Sequence, residues 1–162
     1  MTISRADVVI VAAGAAYPEY LTYQAYVGHP NRPFQASVVR MAFYTKKAIQ
    51  REVPVITEVR PAVLFSRDEM GRLYGSGRET DRDIADLIDV LLTETGRPEC
   101  ERFDVALLSA PDDPATLHLE QPITGTKVSR AGRPVPITMG QYRYVSESAL
   151  KMNPRTTDEL GL

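Results

Sequence analysis

The segment from residue 38 to residue 65 constrains the fold more than any other part of the chain. It reads VVRMAFYTKKAIQREVPVITEVRPAVLF, with two runs of β-branched and aromatic residues on either side of a short basic stretch. Runs of this composition favour β-strands. The sequence therefore predicts two strands joined by a short basic connection.

The first of these runs has two chemically different sides. Side chains alternate across a strand, so Met41 and Phe43 are expected to face a core while Arg40 and Tyr44 share the other side. Lys46 follows directly. A flat phenol beside positive charges suits a nucleobase and its phosphate, although a solvated strand face carries the same kinds of residue. We predict that Arg40, Tyr44 and Lys46 are binding residues.

A second polar strand is predicted near the C-terminus, in the sequence GQYRYV. Tyr142 and Tyr144 share one side of it, whereas Arg143 lies on the side of the apolar Val145. One polar side is then partly enclosed, unless a bulge at Gly140 changes the alternation. Enclosed polar groups suit a small-ligand site, and an Arg143 paired with a buried acid is the alternative. Tyr142 and Arg143 complete the predicted binding residues.

Composition indicates one ordinary globular domain over residues 1–162, with residues 153–162 as a tail. Hydrophobic residues make up 43% and charged residues 25% of the chain. The net charge of −2 is uneven, because residues 1–65 hold seven Lys or Arg and four Asp or Glu, whereas residues 66–104 hold six and eleven. Extended, non-specific nucleic-acid binders usually show a clearer basic excess. A short segment, one flipped base or a nucleotide fits better.

Several classes of site are not expected. The single cysteine, Cys100, cannot form an intrachain disulfide or a Cys-rich metal site, and it favours a reducing cytoplasm. No stretch is long enough to cross a membrane. The glycine loop at residues 75–80 matches neither phosphate-binding fingerprint, and Asp112 and Asp113 are typical turn formers. No cofactor and no metal are predicted.

Strand-like runs outnumber helical ones. The predicted strands cover residues 7–13, 23–28, 38–44, 53–65 with a break near Pro61, 103–110, 116–123 and 137–145. Ser66 and Thr80 are expected to cap two helices and Ser146 to start a third, while residues 46–52 suggest a helical turn. Because the strands come in groups, the sequence predicts an α+β fold: a curved mixed sheet or small β-barrel with about three flanking helices.

The order of these elements, and the run RMAFYT followed by VPVITEV, resembles the PUA-like group, which includes the ASCH and EVE domains. The resemblance covers roughly residues 38–145. The GxKxxExR motif of ASCH domains is absent, and the chain has no tryptophan for an EVE-type base cage, so no site residue is carried over. The resemblance implies RNA, DNA or nucleotide binding.

Three functions are compatible with these patterns. The first is a cytoplasmic domain that binds a nucleic-acid segment or a (modified) nucleotide without chemistry of its own. The second is a small enzyme on a polar, nucleotide-like substrate, with Glu58 or Asp104 as general base. The third is a dimeric interaction module whose helix at residues 80–92 packs on a partner. The aromatic and cationic strands favour the first.

Overall fold

The computed structural model describes residues 6–162. Its strands are β1 (Val8–Ala12), β2 (Ala25–Gly28), β3 (Arg40–Thr45), β4 (Ala48–Ile49), β5 (Glu52–Val53), β6 (Ile56–Phe65), β7 (Glu101–Leu108), β8 (Leu117–His118), β9 (Ile123–Thr124) and β10 (Arg143–Val145). Its helices are α1 (Ala16–Tyr23), α2 (Arg67–Gly75), α3 (Glu79–Glu94) and α4 (Glu147–Lys151), followed by a 3₁₀-helix (Thr157–Leu160). None of the helices in residues 6–162 is long and apolar enough to cross a bilayer. The predicted α+β class with a curved mixed sheet is confirmed.

Contacts within the chain define two compact units. The first contains residues 6–24, 34–57 and 108–162, and the second contains residues 25–33 and 58–107. Both units are therefore built from segments that are separated in sequence. The single domain expected over residues 1–162 stays a prediction.

The first unit is organised around a curled five-stranded sheet, a half-barrel with the order β10-β1-β3-β4-β9. β1 pairs in parallel with β3 and antiparallel with β10, which makes the sheet mixed. Val8, Val9, Ile10 and Val11 have no exposed surface. A continuous apolar run is typical of a strand covered on both faces. The strand predicted at residues 7–13 is present over residues 8–12, with its first four residues buried and Ala12 exposed.

Both faces of β3 are buried, so the expectation that its Tyr44 side faces outward is wrong. Ala42 is fully buried and Tyr44 is 8% exposed. They belong to an apolar core with Ile49 and Ile123. On the opposite face the ring of Phe43 stacks on Tyr20 of α1 at 4.8 Å. The alternation of side chains along a strand predicts which residues share a face. It does not predict that both faces are covered by apolar cores.

Helix α1 was not predicted. Gln24 ends it in a left-handed conformation with φ 54°, and its N–H bonds to the carbonyl of Tyr20 at 2.8 Å. β2 then begins at Ala25, so the strand expected from residue 23 starts later. Tyr20 is the one buried residue of α1. The helix therefore lacks the periodic apolar stripe by which a helix is recognised in a sequence.

Residues 46–52 form a tight turn, the whole of β4 and the first residue of β5, so the predicted helical turn is wrong. Lys46 and Lys47 have φ of 53° and 61°, and they join β3 to β4. Left-handed conformations at both central positions match a type I′ hairpin turn. Asn-Gly usually marks such a turn, and Lys-Lys gives no comparable signal.

Three other strand bounds also differ from expectation. β6 continues through Pro61, and the interruption lies instead near Pro54, between β5 and β6. The strands expected at residues 116–123 and 137–145 are reduced to two and three residues in β8 and β10, with β9 beginning at residue 123. Pro122 lies within the first of these two stretches and lacks the N–H that a continuous ladder requires, whereas the second stretch contains no proline.

The second unit combines the sheet β2-β7-β6 with α2 and α3. Ser66 caps α2 as predicted, with its hydroxyl accepting the N–H of Glu69 at 3.1 Å. Helix α3 is also as expected, except that it starts at Glu79 with Arg78 as N-cap, so Thr80 is not the cap. Its apolar stripe is buried, namely Ile84, Leu87, Ile88 and Leu91. Ser146 caps α4 of the first unit in the same way.

Candidate nucleic-acid interface

Arg40, the first predicted binding residue, is held within the first unit. Its Nη1 donates hydrogen bonds to the carbonyls of Val53 at 3.0 Å and Ala115 at 2.9 Å. Its Nε forms an ion pair with Glu147 of α4, and 17% of its side chain is exposed. The guanidinium therefore links β3 to α4 and to the segment before β8. A role for Arg40 in binding stays a prediction.

Tyr44 lies beneath the surface rather than on it. Burial raises the pKa of its phenol. A Cβ built on Gly125 would lie 2.0 Å from the Tyr44 hydroxyl oxygen, so the two residues are in close approach. Tyr44 is therefore placed to support the chain at residue 125, and its ring is not open for stacking on a base.

Tyr142 and Arg143 lie away from Lys46. The ring of Tyr142 packs on Phe34, with 5.1 Å between centroids. Arg143 lies on β10 and aligns with Ile10 of β1, at one end of the strand order, whereas Lys46 precedes β4 near the other end. β1 and β3 lie between β10 and β4 in the sheet. The structure does not bring the five predicted residues into one site.

Lys46 does belong to a cationic surface, through contacts that the sequence analysis missed. Lys46 and Lys47 are both exposed in the turn between β3 and β4. β4 pairs with β9, where Ala48 faces Thr124. The N–H of Gly125 then donates to the carbonyl of Lys47 at 2.7 Å. This hydrogen bond fixes the lysine turn beside the segment that follows β9.

That segment forms a small hairpin at residues 127–135, called the basic hairpin below. The N–H of Val135 bonds to the carbonyl of Lys127 at 2.9 Å, and the N–H of Ser129 bonds to that of Arg133 at 2.8 Å. Gly132, with φ 76°, closes the turn by donating to the carbonyl of Ser129 at 2.9 Å. A type I turn followed by a left-handed glycine is a common hairpin connection.

The basic hairpin carries its cations on one side and at its tip. Val128 aligns with Pro134, so their neighbours Lys127 and Arg133 lie on the opposite side of the ribbon. Arg130 lies in the turn. These three cations are exposed, as is Val128, which is 58% exposed. These three cations and the two of the lysine turn are together called the basic surface, which consists of Lys46, Lys47, Lys127, Arg130 and Arg133.

The sequence held a signal for this surface. No Asp or Glu occurs between Glu120 and Glu147, while that stretch contains four Lys or Arg. The charge balance of residues 105–162 is even, because acids at both ends cancel these cations. A narrower window would have revealed the basic stretch.

Negative charge lies at the foot of the basic hairpin rather than along it. The N–H of Asp158 donates to the hydroxyl of Thr126 at 3.2 Å. The carboxylate of Glu159 accepts the N–H groups of Arg155 and Thr156, and these bonds hold the pKa of Glu159 below its ordinary value. Glu159 is therefore committed to capping the 3₁₀-helix.

The carboxylates considered as general bases have structural partners. Glu58 pairs with Arg60 at 3.0 Å. Asp104 accepts the N–H of Ala62 at 2.8 Å and that of Arg32 at 3.4 Å. Across residues 6–162, no group of three His, Cys, Asp or Glu side chains is placed to hold a metal ion. These contacts give no support to either carboxylate as a base.

Comparison with known proteins adds no assignment to this geometry. No protein-family model, curated protein or solved structure matches this chain. The resemblance to PUA-like domains therefore stays a prediction from the sequence.

Proposed function

We propose that the basic surface binds the phosphate backbone of nucleic acid, with double-stranded DNA as the preferred form. The observation that carries the proposal is the 2.7 Å hydrogen bond from Gly125 to Lys47, which sets the lysine turn beside the segment that leads into the basic hairpin. Lys and Arg side chains that neutralise phosphates release condensed counterions, which favours binding. A group of five exposed cations supplies that interaction.

The conformation of the lysine turn supports a role for its charges. Lys46 and Lys47 are both left-handed, with φ of 53° and 61°. The left-handed region costs an ordinary residue about 1–2 kcal/mol, whereas Asn and Gly adopt it more readily. Backbone strain of this kind is often found at functional sites. Two lysines in these positions contribute positive charge that Asn-Gly would not.

The aromatic residues argue for a duplex rather than a single strand. Binders of single strands stack bases on exposed aromatic rings. Tyr44 is buried, Tyr142 packs on Phe34, and the basic hairpin, KVSRAGRPV, has no aromatic residue. A two-stranded β-ribbon fits the major groove of B-form DNA, whereas the major groove of A-form RNA is too deep and narrow. Backbone and groove contacts with DNA therefore fit this surface best.

The test is fluorescence anisotropy with a short labelled DNA duplex, its separate strands and an RNA duplex of the same sequence, over a series of salt concentrations. We expect the DNA duplex to bind most tightly, with affinity that falls as salt rises. Lys127→Ala/Arg133→Ala should weaken binding to all DNA sequences alike. Each lost phosphate contact lowers the salt slope by about 0.9, so the double variant should lower it by about 2.

The matched control is Arg67→Ala/Arg82→Ala, which removes two exposed cations from the second unit. Equal weakening by both double variants would mean that binding is diffuse and that the basic surface is not the site. Absence of binding to every oligonucleotide at micromolar protein and low salt would refute the proposal. Anionic lipid vesicles form a further arm, and binding to vesicles without binding to DNA would likewise refute it.

A further inference from the structure

A pocket in the second unit lies beside β6 and α2. Its volume is about 290 Å³, and it is lined by residues 60–64 together with Glu69, Arg72, Leu73 and Arg102. All of these residues belong to the second unit. The pocket is therefore independent of the basic surface, and its size is near the lower end of the range for small-molecule sites.

Three arginines line this pocket. Arg60 from β6, Arg72 from α2 and Arg102 from β7 contribute three guanidinium groups, and Glu69 contributes the one carboxylate of the lining. Arg60 is held from outside the lining by Glu58 and by the buried Asp81. Glu58 and Asp81 therefore offset the charge of Arg60, and Glu69 offsets that of Arg72, which leaves Arg102 without an ion pair in the lining.

Two of the arginines are placed to receive an anion. Arg102 donates one hydrogen bond, from Nη1 to the carbonyl of Ala62 at 3.0 Å, and its other N–H groups make no bond within residues 6–162. Arg72 is bound by both carboxylate oxygens of Glu69, one of them 2.9 Å from its Nε. This fork-to-fork arrangement is the one by which arginine binds carboxylates and phosphates. Glu69 thus occupies Arg72 as a bound oxyanion would.

The backbone of the pocket wall is strained. Ala62 has φ 49° inside β6, a left-handed conformation that alanine rarely adopts. Its N–H is held by the carboxylate of Asp104 at 2.8 Å and its carbonyl by Arg102 at 3.0 Å. A strained backbone conformation of this kind persists where several surrounding contacts hold it in place, and such residues are often found at binding sites. The strain and the arginines occur at the same wall.

We infer that this pocket binds a small molecule through an oxyanion group, a phosphate monoester or a carboxylate, held between Arg72 and Arg102 after displacement of Glu69. Glu69 is ionised at neutral pH, because the hydrogen bonds from Arg72 lower its pKa. It therefore competes with any ligand for Arg72. Neutralising Glu69 should strengthen ligand binding, whereas removing either arginine should weaken it.

The test is isothermal titration calorimetry of the full chain with inorganic phosphate, glycerol 3-phosphate and succinate, at constant ionic strength set with sodium chloride. We expect at least one probe to saturate at millimolar concentration. Glu69→Gln should raise its affinity several-fold, and Arg72→Ala and Arg102→Ala should each lower it by about tenfold or more, in line with the loss of one charged hydrogen-bonding group. Preference for the phosphates or for succinate identifies the oxyanion.

Arg67→Ala is the matched control, because Arg67 is an exposed arginine of α2 outside the pocket lining. Arg102 also supports Ala62, so loss of binding must be separated from loss of fold. Circular dichroism reports whether each variant is folded, and Arg102→Lys keeps a positive charge at this position. Lack of saturation with all three probes at about 20 mM, in both wild type and Glu69→Gln, would overturn the inference. Weaker binding in Glu69→Gln, or an equal loss in Arg67→Ala, would overturn it as well.

Discussion

The hydroxyl of Tyr44 fills the space in which residue 125 would place a side chain. A Cβ on Gly125 would lie 2.0 Å from that oxygen and 3.1 Å from the carbonyl oxygen of Lys47. Tyr44 cannot easily withdraw, because it is packed in the core of the first unit. Glycine at this position is what allows the chain after β9 to run beside the lysine turn.

Gly125→Ala should therefore destabilise the protein. Overpacking of this kind costs about 1–3 kcal/mol of unfolding free energy, measured by urea denaturation. Tyr44→Phe/Gly125→Ala should lose less than the sum of the two single variants, since the hydroxyl is the closest atom. Gly14→Ala is the control, because nothing lies within 4 Å of its Cβ position. Strict additivity of the two changes would argue against the contact.

Replacing the lysine turn should separate stability from binding. Lys46→Asn/Lys47→Gly puts the preferred type I′ residues at two left-handed positions and should raise the unfolding free energy by about 1 kcal/mol. The same variant removes two cations of the basic surface, so its affinity for duplex DNA should fall. Thermal denaturation and anisotropy measure the two effects. A stabilised variant with unchanged affinity would remove the lysine turn from the proposed interface.

Arg40→Ala should reduce stability by about 2 kcal/mol, because it leaves the carbonyls of Val53 and Ala115 and the carboxylate of Glu147 without this donor. DNA affinity of the folded variant should be unchanged. Urea denaturation and anisotropy on the same preparation give both values. The opposite result, full stability with weakened DNA binding, would show that Arg40 is a binding residue, as the sequence suggested.

Asp81 should make stability depend on acid pH. Hydrogen bonds from Ser76 and Arg60 hold its pKa below the ordinary value of 3.8. A carboxyl whose pKa is lower in the folded state stabilises the protein above its ordinary pKa, and this contribution is lost as the pH falls below about 3.8. Wild type should therefore lose stability more steeply than Asp81→Asn over that window. Parallel pH profiles in urea denaturation would contradict this, and Asp83→Asn on the same helix is the control.

Elements set by local chemistry could be predicted from the sequence. The apolar run from Val8 to Val11 identifies the central strand, and the spacing of Ile84, Ile88 and Leu91 identifies α3. Ser66 identifies the start of α2, since its hydroxyl caps the third residue of the helix. In each case, residues within one or two turns or one strand carry the signal.

The candidate site depends on contacts between residues that are far apart in sequence. For this reason the sequence predicted only part of the basic surface. Arg40 meets Glu147, and Lys47 meets Gly125, only because strands far apart in sequence lie side by side. Tyr44 alternates with apolar residues as a surface residue would, yet a second core covers its side of the sheet. Lys46 is the predicted binding residue that the proposed surface retains.

The division of the chain has a consequence for how the protein is made. Val8 of β1 pairs with Val145 of β10, and the first unit takes its residues from three separate stretches of chain. Residues 143–145 must therefore leave the ribosome before the central strand can acquire its second neighbour. Topologies dominated by such distant pairings fold slowly. Until β10 has emerged, the Val8–Val11 strand keeps one unpaired edge, and unpaired strand edges make a folding intermediate prone to aggregation.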